Sequence, residues 1–68
     1  ADCDEKFDLA KQTGIDYHRF CYYYYRFSKE IDILTEQAYE EMNSTRNDPE
    51  KIWEKVEKQY LDNLLLFR

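Results

Sequence analysis

The sequence predicts an all-α fold: an antiparallel helical hairpin, built from a long middle helix and a C-terminal helix, with a short helix ahead of it. Three observations carry this. Apolar side chains recur at heptad a and d spacing from Tyr17 to Ala38. The single glycine and the single proline, Gly14 and Pro49, stand where one helix would stop and another start. Between the two longest periodic stretches, Asn43-Ser44-Thr45-Arg46-Asn47 is polar loop chemistry.

The first helix is expected over residues 4–13. Phe7 and Ala10 lie in line with Cys3 at i, i+4, i+7, a stripe too short to persist alone. Gly14 can adopt the left-handed conformation that ends a helix, and Asp16 is a good N-cap for the next. The second helix is expected over 16–42, with Tyr17, Phe20, Tyr24, Phe27, Ile31, Leu34 and Ala38 on one seam and Cys21 and Met42 beside it. As a straight rod it would run about 40 Å.

Asp48 and Pro49 supply a cap and a first helical residue for a third helix over 49–67. Its wide apolar face holds Ile52, Trp53, Val56, Tyr60, Leu61, Leu64, Leu65 and Phe67. Lys51, Glu54, Lys55, Glu57 and Lys58 occupy the remainder, with Glu54 and Lys58 in the favourable i, i+4 order. A loop this short makes the antiparallel hairpin the natural packing.

A chain of 68 residues makes one domain, 1–68, and 18% aromatic content argues that it folds, since disordered chains lack such bulk. Its formal net charge of −5 repels phosphate backbones and anionic lipid, so no nucleic-acid partner is expected. The longest apolar run, Leu64-Leu65-Leu66-Phe67, is far below the ~20 residues of a membrane span. Residue 1 is Ala and not Met, which fits a mature form after signal cleavage. The charge is uneven: Arg19, Arg26 and Lys29 form a basic island with no acid between residues 17 and 29, flanked by acidic stretches.

Cys3 and Cys21 fit no metal-ligand spacing, and with one histidine no zinc set can be assembled; no metal or other cofactor is expected. A disulfide between them is the expectation, tethering the weak first helix to the second by about 3 kcal/mol in the chain-entropy model. That bond implies an oxidising compartment: secretion, with a periplasm or intermembrane space as alternatives. Asn43-Ser44-Thr45 is an N-glycosylation sequon, which makes Asn43 a candidate acceptor in the expected loop.

The run from Tyr17 to Lys29 is the most informative. Helical geometry sends Tyr17, Phe20, Tyr24 and Phe27 to the seam and His18, Arg19, Tyr22, Tyr25, Arg26 and Lys29 to the opposite face. Exposed Tyr and Arg are over-represented at binding hot spots, and the cations would suit an acidic partner surface. The rival is that the first helix folds over this face and buries it. His18 has no positioned nucleophile or carboxylate, and the hydroxyl residues sit in no activating context, so no catalytic residue is expected and the chain is not expected to be an enzyme.

The third helix carries more apolar surface than one facing helix can cover. The first helix is expected to fill the rest; otherwise the surplus, with Trp53, Leu61 and Leu65, would form an oligomer interface or an apolar ligand cleft. The sequence thus points to a small secreted interaction protein, an effector, inhibitor or signalling ligand. The alternatives are an accessory subunit of a larger assembly and a carrier of small apolar ligands.

Overall fold

The computed structural model describes residues 2–66, in which every regular element is helical. α1 spans Asp2–Ala10 and tightens into a 3₁₀ turn at Lys11–Thr13; α2 spans Tyr17–Arg26, α3 Ile31–Ser44 and α4 Pro49–Leu66. The punctuation acts as its chemistry requires. Gly14 closes the 3₁₀ turn at φ 90°, its N–H donating to the Lys11 carbonyl. The Asp16 carboxylate accepts from the His18 amide at 3.0 Å and caps α2. Pro49 is the first residue of α4, and the Ile52 amide reaches back to the Asp48 carbonyl at 3.0 Å.

The long middle helix is a correction. In place of one rod over 16–42 the chain bends at residues 27–30, where Phe27 leaves helical geometry at φ −126°, ψ 44°. No Gly or Pro marks the bend; the Phe27 amide still bonds the Tyr23 carbonyl, and the Glu30 amide bonds the Phe27 carbonyl in a turn. The reason is burial. The molecule's longest Cα extent is 33 Å, shorter than the rod would be. Paired with the 18-residue α4 alone, the rod would leave much of its seam in water. Bent, its first half folds over α4 and beneath α1.

α3 and α4 form the hairpin, the most extensive helix pairing in the molecule. Its antiparallel sense is fixed by two contacts: Lys55 meets Glu41 at 2.7 Å, while Tyr60, further along α4, meets Phe27 with ring centroids 5.8 Å apart. The core unites all elements: Ala10 and Ile15, then Phe20, Tyr23 and Phe27, then Ile31, Leu34 and Ala38, then Ile52, Trp53 and Val56. Burying each large member contributes roughly 1.5–3 kcal/mol.

The seam is mostly as expected, with two differences. Tyr17 is 40% exposed, because its hydroxyl reaches out to donate to the Asp4 carboxylate at 2.7 Å. Tyr23, outside the heptad stripe, is 3% exposed and lies against Trp53 with centroids 5.3 Å apart. With the chain bent at residues 27–30, Tyr23 of α2 packs against Trp53 of α4.

The first helix does not fill the open side of α4. It lies chiefly on α2 and α3, with Phe7 against Tyr17 and Phe20 at centroid distances of 5.1 and 5.7 Å. α2 covers the Trp53 side instead.

Candidate functional site

The outward face of α2 carries five of the six residues expected for recognition, and Lys29 falls beyond the helix in the bend at residues 27–30. His18, Arg19, Tyr22, Tyr25, Arg26 and Lys29 are all exposed, and α1 covers neither tyrosine: Tyr22 is 48% and Tyr25 91% exposed. Helical spacing explains the arrangement. Tyr22 and Arg26 stand i, i+4, and the Arg26 Nη1 donates to the Tyr22 hydroxyl at 3.1 Å. The same Nη1 donates to the Glu57 carboxylate of α4 at 2.7 Å, and the guanidinium lies 5.3 Å from the Phe27 ring centroid. Arg26 is therefore anchored on three sides.

The basic island is less free than its sequence suggests. Arg19 meets two α4 carboxylates, Glu54 at 3.3 Å and Glu50 at 3.9 Å. Two of the three cations are thus answered within the molecule. Among the described residues no ion pair involves His18 or Lys29. The surface is less a cationic patch than a pair of exposed tyrosines beside an immobilised guanidinium. These exposed pairs add little stability, about 0–1 kcal/mol each, but they fix side chains before any partner arrives.

Cys3 and Cys21 do come together, and here the expected disulfide is corrected. Their sulfurs lie 3.3 Å apart, a thiol contact and not the ~2.05 Å of a bond. α1 is held at this point by Phe7, by the Tyr17–Asp4 hydrogen bond and by the Lys6–Asp32 ion pair at 2.9 Å, without a covalent tie. Burial, with the neighbouring Cys21 thiol, raises the Cys3 thiol above its ordinary pKa.

Asn43 is exposed but lies in the last turn of α3, which runs through Ser44, and not in a loop. The helix outlasts its polar sequence because the Thr45 amide and hydroxyl both donate to the Glu41 carbonyl, at 2.8 and 3.1 Å.

The apolar face of α4 is also redrawn. Trp53 is fully buried and so cannot belong to an oligomer surface; Leu61 is half-buried, while Leu64 and Leu65 are 47% and 66% exposed. Phe67 lies outside the described residues.

The surface also carries a concavity that no motif in the sequence marks. A groove of about 410 Å³ runs between α1 with its 3₁₀ turn and α3, lined by Lys6, Leu9, Gln12, Asp32, Thr35, Glu36 and Tyr39. The only hint available beforehand was that Leu9 and Tyr39 fall off their helices' apolar stripes.

Among the described residues no group of three or more His, Cys, Asp or Glu side chains is placed to hold a metal ion, and no helix is long and apolar enough to cross a membrane. No protein-family model matches the chain, and neither a curated protein nor a solved structure matches it.

Proposed function

We propose that this chain works by binding a partner protein through the outward face of α2, as a secreted effector, inhibitor or signalling ligand. The observation that carries the reading is Tyr25, a large aromatic side chain 91% exposed on a helix whose other face is core. A tyrosine offers wide contact area and a polar tip for the loss of few rotors, so its exposure on a rigid element suits recognition. Tyr22 and Arg26 beside it are held by the hydrogen bonds to each other and to Glu57, which lowers the ordering cost of association. The exposed Asn43, first residue of a sequon, supports the secreted part of the proposal.

A pull-down from native fluid with the unaltered chain, repeated with Tyr25→Ala and Tyr22→Ala, tests it. A partner retained by the natural chain should bind at least one variant more weakly by about 2 kcal/mol, roughly thirtyfold. The helical content should stay unchanged, since both positions lie off the core. Equal affinity for both variants with the fold intact would remove the α2 face from the interface.

A second reading, an accessory subunit of a larger assembly, is favoured by the exposed Leu64 and Leu65 at the end of α4. Particle size across a concentration series separates the two: a subunit lacking its assembly should self-associate through that end, and a secreted ligand should stay dispersed.

A further inference from the structure

The groove between α1 and α3 is separate from the α2 face and is built differently. Its walls are Leu9, 59% exposed, and Tyr39, 41% exposed, two large side chains left half open on either side of a concavity. At its base Thr35 is buried, and its hydroxyl proton is already given to the Ile31 carbonyl at 2.8 Å. The volume of about 410 Å³ falls within the range of small-molecule sites.

Charge decides what such a groove can take. Lys6 and Asp32 answer each other at 2.9 Å. Glu36 is exposed and takes part in no ion pair among the described residues. One lysine against two carboxylates leaves the lining at −1, in a chain of net charge −5. An anionic ligand would meet repulsion, and a neutral apolar one would leave the Glu36 carboxylate unused at the edge of its own contact. An ammonium group with an apolar body uses both features. Its charge can sit at Glu36 and near the face of Tyr39, which attracts cations through its ring quadrupole. Its body can lie against Leu9.

We propose that the α1–α3 groove is a binding site for a small organic cation, an ammonium carrying an aromatic or aliphatic body, with Glu36 as counter-ion and Leu9 and Tyr39 as walls. The site does not depend on the α2 face, and its failure would leave the proposal for that face untouched.

The probes are 4-phenylbutylamine, protonated at neutral pH, and two relatives of the same body, neutral 4-phenylbutanol and anionic 4-phenylbutyrate. Each is titrated into the whole chain while backbone amide resonances are followed by NMR. The amine should shift the amides of Leu9, Gln12, Glu36 and Tyr39 together and saturate at millimolar concentration, with the alcohol weaker and the carboxylate weakest. Glu36→Gln should weaken the amine by about fivefold and leave the alcohol unchanged, as expected for loss of one exposed charge contact. Leu9→Lys, which puts a cation on the wall of the groove, should weaken the amine further while the remaining spectrum stays folded. Equal binding of all three probes, shifts centred on other helices, or no shift by about 5 mM would each overturn the proposal.

Discussion

The indole Nε1 of Trp53 donates a hydrogen bond to the Thr13 hydroxyl across 2.9 Å, joining residues forty apart in the chain. Thr13 donates its own proton to the Ala10 carbonyl at 2.7 Å, so a buried relay links the end of α1 to the first turns of α4. Neither end reaches water: Trp53 is 0% and Thr13 2% exposed. Thr13→Val should therefore strand the indole N–H and cost about 1–3 kcal/mol in urea denaturation, while Thr13→Ser should restore most of it. An unchanged midpoint for the valine variant would mean that the indole finds another acceptor.

Gly14 is constrained twice. Its φ of 90° is strained for any L side chain, and a Cβ there would come within 2.8 Å of the Pro49 Cγ. Gly14→Ala should destabilise the domain by more than about 1 kcal/mol. Combining it with Pro49→Ala should cost less than the two single changes added together, because the steric part of the strain is relieved. Additive losses would leave backbone conformation as the whole cause.

Tyr23 and Tyr25 are near neighbours in sequence with opposite expected behaviour. Tyr23→Ala opens the core beside Trp53 and should cost about 3–5 kcal/mol, enough to threaten a domain this small. Tyr25→Ala should move stability by no more than about 0.5 kcal/mol. Thermal or urea unfolding of the pair separates them, and equal effects would mean that α2 is rotated about its axis from the orientation described.

Alkaline stability gives Tyr23 a second signature. Burial, followed by the nearby Glu57 charge, raises its phenol from 10.0 to about 12. The folded state thus keeps the phenol neutral while the unfolded chain releases the proton first. The contribution to stability is complete below pH 10 and is lost as pH rises towards about 12. Tyr23→Phe should flatten the fall in stability across that window. A fall as steep as that of the natural chain would assign it to other groups.

The Cys3 thiol, held protonated by burial and by Cys21, should react slowly at neutral pH, because the thiolate is the nucleophile. Iodoacetamide followed by intact mass should add two labels, and faster in urea than in the native protein. A native mass two hydrogens lighter, with no label taken up, would mean that the two sulfurs are joined.

Much of the architecture is legible in local chemistry. Gly14, Asp16 and Pro49 mark helix boundaries because cap and φ preferences act within a few residues, and the structure uses all three. The outward face of α2 is legible for a similar reason: once Phe20 and Phe27 face the core, helical spacing carries Tyr22, Tyr25 and Arg26 away from it. The cysteine pairing is legible only in part: Cys3 and Cys21 meet, but at 3.3 Å as two thiols and not as the expected disulfide.

Other features belong to the tertiary structure alone. The bend at residues 27–30 has no marker in the sequence, since it arises from competition among three helices for the same apolar surface. It buries Tyr23 and sets Arg19 and Arg26 opposite Glu54 and Glu57. The groove at Glu36 is decided in the same way, by how α1 comes to rest on α3. Capping and periodicity are properties of neighbouring residues, and one chain states them unaided. Which helix covers which, and which charges meet across the contact, depends on the total area buried by the whole arrangement, and only the folded molecule fixes that.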